Sequence, residues 1–165
     1  MGQEIETSQF SQEDFERFHK KLREETALLA QWFSEGHLAR QGNVAGFELE
    51  AWLIDHEFLP VPINEEYLKV LDSEWVTPEL SKFNIELNGK PRILQDDALS
   101  KMQLRLQENW DQCQKVARED FQAELVMIGI LPSLREEELT LDNMSQMVRY
   151  RALNEQVFQQ RKGKP

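Results

Sequence analysis

The fold is decided by the stretch Gly46-Phe47-Glu48-Leu49-Glu50-Ala51-Trp52-Leu53-Ile54-Asp55, in which apolar side chains alternate with others at a period of two. This alternation predicts a β-strand. One predicted face carries Phe47, Leu49, Ala51 and Leu53, and the other carries Glu48, Glu50, Trp52 and Ile54. Glu48 and Glu50 therefore share a face and lie roughly 6.6 Å apart along the strand.

The two acidic side chains on that face have two interpretations. Trp52 and Ile54 continue the face, so we expect it to be partly covered, and partly buried like charges repel each other and lose hydration. A divalent cation between the carboxylates would relieve that cost. The alternative is a solvated sheet face whose acidic residues serve solubility, and this segment alone leaves both interpretations open.

A second strand is predicted at residues 82–88. Its apolar side chains Phe83, Ile85 and Leu87 point one way, and its oxygen-bearing side chains Asn84, Glu86 and Asn88 point the other. Asn88-Gly89 is a turn signal. Arg92, Ile93 and Leu94 are then predicted to begin a short return strand.

Glu48, Glu50 and Glu86 are the predicted ligands of a metal ion, and Asn84 and Asn88 are further candidates. Carboxylate and amide oxygens are hard ligands, which suit Mg²⁺ or Mn²⁺ rather than zinc. Magnesium on protein carboxylates usually keeps positions for water or substrate phosphates. The pattern therefore favours nucleotide-dependent chemistry over a closed structural metal site.

Amphipathic helices and one more strand account for much of the remaining chain. The first helix is predicted to start after Ser11, a good N-cap, and to end near Gly36. Its apolar stripe, which includes Phe15, Phe18, Leu22, Leu29 and Trp32, is expected to pack within the domain, and a partner-binding helix is the alternative. Further predictions are a short helix capped by Asn64, a long helix after Asp96 or Asp97, a buried strand at residues 125–131 and a last helix from Asp142 or Asn143.

Composition restricts the function classes. The chain has 165 residues, enough for one domain with a core, and its formal net charge of −11 would repel a phosphate backbone or an anionic membrane. No apolar run reaches membrane-spanning length, and the polar N-terminus lacks the apolar segment of a signal peptide. Cys113 is the single cysteine, so no disulfide framework is expected. We therefore expect a cytoplasmic protein that binds neither nucleic acid nor membrane.

The order of the predicted elements indicates the fold class. Helices and strands do not alternate regularly enough for a doubly wound parallel sheet. We expect an α+β domain in which a mainly antiparallel sheet carries long amphipathic helices on one face. Residues 1–10 are predicted as a flexible lead-in and residues 11–165 as a single domain, with the polar faces of the two strands on the open side of the sheet.

Phosphate groups would have to be held by a metal ion and arginine, because the chain has no glycine-rich phosphate loop of the Walker or dinucleotide type. Arg149 and the adjacent Tyr150 are the candidates, since a guanidinium binds phosphate or carboxylate through two parallel hydrogen bonds. The alternative for Arg149 is an exposed helix residue.

Four segments together resemble glutamate–cysteine ligase type 2, a family of carboxylate–amine ligases. The match extends over roughly residues 40–162, and the segments occur in the family's order. They are the strand Gly46-x-Glu48-x-Glu50, the acidic strand at residues 83–88, the Gly-x-x-Pro run Gly129-Ile130-Leu131-Pro132, and the helix around Arg149-Tyr150. The ordered set is more specific than any single segment.

The resemblance implies a glutamine-synthetase-like half-fold, Mg²⁺ or Mn²⁺ and ATP as cofactors, and a role in glutathione biosynthesis. The substrates would be glutamate and an amine such as cysteine. The γ-carboxyl of glutamate would be activated as an acyl phosphate and then attacked by the amine. The implied roles are metal ligands for Glu48, Glu50 and Glu86, a catalytic phosphate or substrate contact for Arg149, and cofactor contacts for Asn88 and Tyr150.

Two positions depart from the family pattern. Gly89 stands where a threonine is often found, and Leu131 stands where a histidine is common. Such ligases are also much longer than this chain, so we expect an N-terminal fragment of the catalytic domain that does not turn over alone. The alternative is a non-catalytic binding or assembly module derived from such a ligase, with a homo-oligomer among the assemblies it allows. In that case Glu48 and Glu50 are vestigial.

Overall fold

The computed structural model describes residues 4–38 and 42–162. The chain divides into a sheet unit of residues 44–145 and a terminal unit of residues 1–43 and 146–165. Helices are combined with antiparallel sheets, which confirms the predicted α+β class. Of the predicted lead-in, residues 1–3 lie outside the described residues, and residues 4–10 form neither helix nor strand.

The helices and strands follow one another in a mixed order. They are α1 (Gln12–Glu35), β1 (Val44–Ala45), β2 (Glu48–Ile54), α2 (Asn64–Leu71), β3 (Val76–Pro78), β4 (Asn84–Asn88), β5 (Arg92–Ile93), α3 (Ala98–Phe121), β6 (Glu124–Val126), two 3₁₀ turns (Glu136–Glu138 and Leu141–Asn143) and α4 (Val148–Gln160). A search of the described helices finds none with the length and apolar character needed to cross a membrane.

A four-stranded antiparallel sheet with the order β3-β4-β2-β6 forms the centre of the sheet unit. β2 pairs with β4 from Glu48 to Trp52 and with β6 from Trp52 to Ile54. A short strand forms at Arg92 and Ile93 as predicted, but it pairs with β1 in a separate antiparallel sheet instead of returning along β4. The stretch that decides the fold is thus an inner strand, and its two faces define the two sides of the sheet.

One face of the sheet is covered by α2 and α3. Ala51 and Leu53 of β2 are fully buried there together with Tyr67 of α2 and Cys113 of α3. Apolar burial of this kind contributes about 25 cal/mol per Å² to stability. The Tyr67 hydroxyl donates a hydrogen bond to the Cys113 carbonyl oxygen at 2.8 Å, so this polar group is satisfied inside the core. Burial raises the pKa of the Cys113 thiol, which fits the predicted role of a small core residue.

The opposite face of β2 is covered at one end. A second buried cluster forms there from Trp52, Ile54, Phe83 and Leu131. The rings of Trp52 and Phe83 stack with centroids 5.4 Å apart, and the Trp52 indole N–H donates to the Ile128 carbonyl oxygen at 3.0 Å. The expected partial cover of this face is confirmed. The orientation predicted for Phe83 is wrong, because β4 begins one residue later and Phe83 packs on Trp52.

The strand predicted at residues 125–131 is wrong beyond Val126, where β6 ends. The chain turns away from the sheet, so that the Ile128 carbonyl meets the Trp52 indole and Leu131 becomes buried in the second cluster. Met127 is left 54% exposed by this turn. Residues 127–131 therefore leave the sheet and cover the Trp52 side chain instead of continuing β6.

Asn64 begins α2 as predicted, but its side chain does not cap the helix. It is fully buried, and its amide nitrogen donates to the carbonyl oxygens of Ser81 and Asn84, both at 3.1 Å, and to the Ser145 hydroxyl at 2.9 Å. A buried amide requires such partners. Asn64 therefore links α2 to the segment before β4 and to residue 145.

The last helix starts later than predicted. The segment at 143–145 runs beside residues 80–82, with the Lys82 N–H donating to the Asn143 carbonyl oxygen at 2.7 Å and the Ser145 N–H donating to the Leu80 carbonyl oxygen at 2.9 Å. Because this pairing needs extended chain, α4 begins only at Val148. The residues expected to open the helix form a 3₁₀ turn instead.

Both predicted ends of α1 are confirmed. Ser11 and Asp14 form a capping box, and Gly36 closes the helix in the left-handed conformation with φ 73°. The prediction that its apolar stripe packs within the domain is wrong, because none of the 24 residues of α1 is buried. Phe18 is 58% exposed and Phe33 is 74% exposed. α1 presents its apolar side chains to solvent.

Candidate acidic site on the sheet

The register of β2 and β4 brings the predicted acidic residues together. Glu50 is paired directly with Glu86, and Glu48 is paired with Asn88. Directly paired residues in an antiparallel sheet project to the same face with their Cβ atoms about 4.5–5.5 Å apart. Glu48, Glu50, Glu86 and Asn88 therefore share one sheet face, as the sequence predicted.

The side chains of the acidic face differ in their exposure to solvent. Glu48 and Glu50 are exposed, whereas Glu86 is only 7% exposed. Asn84 follows on the same strand face, is buried opposite Trp52, and accepts a hydrogen bond from the Ser81 hydroxyl through its side-chain oxygen. The second buried cluster thus covers one end of the face, and the carboxylates lie at the open end.

β3 adds a polar partner that the sequence analysis did not identify. Thr77 pairs with Glu86, and its hydroxyl donates to Glu86 Oε1 at 3.3 Å. The same hydroxyl oxygen accepts a hydrogen bond from Asn88 Nδ2 at 3.2 Å. These two bonds orient the Glu86 carboxylate and hold the Asn88 side chain on the same face.

Glu79 is a further carboxylate at this site that sequence reasoning missed. Partial burial raises the pKa of Glu79, and a hydrogen bond with the Glu86 carboxyl and the nearby charges of Glu86 and Glu50 raise it further. The carboxyl groups of Glu79 and Glu86 are therefore close enough to share a proton. Glu79 lies two residues after Thr77, so the period of an extended chain accounts for their common side.

The position of Glu79 is held by a buried network. The Ser145 hydroxyl donates to the Glu79 carbonyl oxygen and accepts a hydrogen bond from Asn64 Nδ2. The sequence signal was present at Val76–Pro78, because a proline at a strand end is typical of an edge strand. The sequence analysis assigned no strand to these residues, so Glu79 was missed with them.

The acidic face presents hard oxygen donors from Glu48, Glu50, Glu79 and Glu86. Searching residues 4–38 and 42–162 for three or more His, Cys, Asp or Glu side chains placed around one metal position gives no such group. Glu50 and Glu86 nevertheless form a directly opposed pair, with Glu79 bonded to Glu86. Carboxylate oxygens of this kind are the ligands that Mg²⁺ prefers in proteins.

Arg149 and Tyr150 lie in the first turn of α4, in the terminal unit. The Arg149 guanidinium donates to the Tyr150 hydroxyl at 3.0 Å, and its central carbon lies 4.7 Å from the centre of the Tyr150 ring. The Arg149 backbone N–H donates to Glu4 Oε1 at 3.0 Å. The pKa of Glu4 is lowered, first by the backbone N–H of Ile5 and also by that of Arg149. The start of α4 is thus a place where a carboxylate is already bound.

Packing explains one of the two departures from the ligase pattern. A Cβ atom at Gly89 would lie 2.6 Å from Phe47 Cε1, which is too close for any side chain unless the ring moves. The other departure, Leu131, is 5% exposed in the cluster with Trp52. Both residues suit the neighbours they have in this chain.

Comparison with known proteins identifies no relative of this chain. The chemistry of the acidic face therefore rests on its own residues. No protein-family model, no curated protein sequence and no solved structure matches this chain.

Proposed function

We propose that this chain contributes the metal-binding sheet of an ATP- and Mg²⁺-dependent carboxylate–amine ligase of the glutamate–cysteine ligase type. The observation that carries the proposal is the direct opposition of Glu50 and Glu86 on one face of an antiparallel sheet. Glu79 supports it, because its carboxyl is hydrogen-bonded to Glu86 instead of to a basic side chain. On this proposal the sheet is half of a glutamine-synthetase-like fold, and the protein works in the cytoplasm.

The donor set fits a hard divalent cation. Glu48, Glu50 and Glu86 would supply carboxylate oxygens, and Glu79 would join them on losing its proton. Thr77 would keep the Glu86 carboxylate oriented by the hydrogen bond it already donates at 3.3 Å. Mg²⁺ or Mn²⁺ bound there would neutralise the charge that develops on ATP phosphates during phosphoryl transfer.

The reaction balances as two displacements. The γ-carboxylate of glutamate takes the terminal phosphoryl group of ATP, giving an acyl phosphate and ADP. The amine of a second substrate such as cysteine then attacks the acyl carbon, phosphate leaves and an amide forms. Arg149 would bind a phosphate or carboxylate oxygen as a catalytic contact, and Asn88 and Tyr150 would contact the nucleotide.

The proposed metal binding should depend on pH through the proton of Glu79. Because the pKa of Glu79 is raised by burial and by its acidic neighbours, the proton competes with a cation for the same oxygens. Mg²⁺ affinity should therefore increase as the pH rises through the pKa of Glu79. An isolated exposed carboxylate pair would complete this change at lower pH.

Calorimetric titration with Mg²⁺ and a non-hydrolysable ATP analogue tests the proposal. We expect saturable binding in the parent chain and its loss in Glu50→Gln and Glu86→Gln. Glu66→Gln is the matched control, since Glu66 is an exposed carboxylate on α2, away from the acidic face. Binding that survives both acidic-face substitutions, or that fails equally in the control, would contradict the metal assignment.

A second candidate function is assembly through α1, favoured by its apolar stripe, whose side chains are 37–58% exposed. The occupant we propose is a second copy of this chain. In an antiparallel pair of α1 helices centred between residues 22 and 23, Lys20 would face Glu25 and Lys21 would face Glu24. A two-fold interface requires such self-complementarity. The helix is about 36 Å long, which gives room for a continuous apolar seam.

Sedimentation analysis distinguishes this second candidate. A dimer in the parent chain that becomes a monomer in Leu29→Lys, but persists in Gln31→Lys on another side of α1, supports the assembly module. A stable dimer combined with no Mg²⁺ signal would make the ligase-derived site vestigial. A monomer at all concentrations would remove the assembly proposal.

A further inference from the structure

A cavity of about 470 Å³ lies between the end of β4, the turn that follows it and α3. Volumes of this size hold small-molecule ligands. We call it the cationic pocket, after Lys90 in the turn, Arg92 of β5 and Arg105 of α3, which line it. Phe47 and Trp75 supply its aromatic wall.

The charge of this pocket opposes that of the whole chain. Three cationic side chains line it, and none of the described residues that line it is Asp or Glu, although the chain carries a formal net charge of −11. Like charges around one cleft repel in the absence of a ligand. A bound anion would relieve that repulsion, and a concave site strengthens its attraction for ions of opposite charge.

One of the cations has an acidic partner that lies outside the pocket lining. Arg105 forms an ion pair with Glu108 at 2.7 Å, one turn further along α3. The charge of Arg92 contributes to lowering the pKa of Asp97, after a larger contribution from Lys101. Glu108 therefore orients the Arg105 guanidinium without being among the residues that line the pocket.

The aromatic wall is fixed by a close approach. The Phe47 ring lies so near Gly89 that a Cβ atom there would be 2.6–2.9 Å from three of its carbons. The half-buried Trp75 is tied to the end of β4, because its carbonyl oxygen accepts the Asn88 N–H at 2.7 Å. Rings held in place next to cations suit a ligand that has a flat body as well as an anionic group.

The pocket and the acidic face use different residues. Glu48, Glu50, Glu79 and Glu86 are absent from the described lining of the pocket, whereas Asn88 belongs to both places. The three cations would bind an anion directly, so a metal ion is unnecessary there. A phosphate dianion satisfies three positive charges better than a single carboxylate does.

We propose that the cationic pocket binds a phosphorylated small molecule with a planar ring, of the nucleoside monophosphate class, without Mg²⁺. Lys90, Arg92 and Arg105 bind the phosphate, and Phe47 and Trp75 contact the ring. The site does not depend on the proposed ligase activity. It is a second ligand site, beside the acidic face and connected to it through Asn88.

Calorimetric titration of the chain with AMP in the presence of EDTA tests this site. We expect saturable binding of one AMP per chain, with adenosine at least roughly tenfold weaker because it lacks the phosphate. Arg92→Gln and Lys90→Gln should each raise the Kd about tenfold. Arg118→Gln is the matched control, since Arg118 lies on α3 and pairs with Glu124 at 3.4 Å, away from the pocket.

Glu50→Gln separates this proposal from the ligase proposal, since it should abolish Mg²⁺ binding and leave AMP binding in EDTA unchanged. Thermal melts of all variants check that they are folded, and Lys90 is an exposed turn residue whose replacement should not affect folding. The proposal is overturned if the parent shows no saturable AMP binding in EDTA. It is equally overturned if adenosine binds as tightly as AMP, or if Arg118→Gln weakens binding as much as Arg92→Gln.

Discussion

Glu50 of β2 lies directly opposite Glu86 of β4, and no lysine or arginine forms an ion pair with either carboxylate among the described residues. Like charges directly opposed across a sheet destabilise the fold. The pairing therefore weakens the metal-free protein while presenting oxygen donors on one surface. That conflict between stability and chemistry is typical of functional sites.

Removing one charge of this pair should stabilise the metal-free protein. For Glu50→Gln in EDTA at neutral pH, we expect the free energy of unfolding to rise by about 0.2–1 kcal/mol, because one cross-strand repulsion disappears. Urea denaturation followed by circular dichroism measures this change. Glu66→Gln on α2 should change it by less, and a destabilised Glu50→Gln would show that the carboxylate is compensated in the folded protein.

Glu79 predicts how stability depends on pH. Burial and the neighbouring Glu86 carboxyl raise the pKa of Glu79 in the folded protein, so the folded state keeps this proton to higher pH than the unfolded chain does. The resulting contribution to stability is complete below the unfolded pKa and is lost as the pH rises through the folded pKa. Glu79→Gln removes this loss.

Thermal melts of Glu79→Gln and of the parent in EDTA measure this effect. We expect equal melting temperatures at about pH 3, where the parent carboxyl is protonated in both states, and an advantage of a few degrees for the variant at about pH 7. A constant difference at all pH values would show that Glu79 does not titrate with folding.

Asn64 should be among the polar residues most costly to replace. Asn64→Ala removes three hydrogen bonds, to the carbonyl oxygens of Ser81 and Asn84 and to the Ser145 hydroxyl, and leaves a void where a fully buried side chain lay. We expect a loss of about 2 kcal/mol, since these hydrogen bonds and the packing of a buried side chain are lost together. Equilibrium unfolding measures the loss, and Asn154→Ala at an exposed position of α4 is the control.

A threonine at position 89, the residue often found there in glutamate–cysteine ligases, should destabilise this chain. In Gly89→Thr the new Cβ would collide with the Phe47 ring, so we expect a loss of about 1–3 kcal/mol from overpacking. Phe47→Leu should recover part of that loss in the double variant, as a double-mutant cycle from urea unfolding would show. Additive effects of the two substitutions would show that the destabilisation by Gly89→Thr does not come from a collision with the Phe47 ring.

Periodicity predicted the parts of the fold in which one face is apolar over several residues. The alternation along Glu48–Ile54 and Asn84–Asn88 fixed both strands and the face that carries their acidic residues. The same alternation assigned Phe83 to the wrong side, because pattern alone does not show where β4 begins. The residue at which β6 ends was also predicted wrongly. It depends on the hydrogen bond from the Trp52 indole to the Ile128 carbonyl oxygen, which joins residues 76 positions apart.

The acidic site was predicted in part. Its members on β2 and β4 were found, since each strand shows its own face in the sequence. Glu79 was missed because its place depends on a three-residue edge strand and on the buried bonds of Asn64 and Ser145. The cationic pocket was missed because Arg92 and Arg105 are distant in sequence and line one cavity only in the folded chain, where α3 lies beside the end of β4.

The lack of burial along α1 has a consequence for its backbone. A single helix without tertiary support is marginal in water, so the amide hydrogens of α1 should exchange with solvent far faster than those of α3, which carries Cys113 and Ala117 in the core. Anything that covers Phe18 and Leu29 would slow that exchange. Deuterium uptake along Gln12–Glu35 therefore reports directly on whether the helix has found a partner.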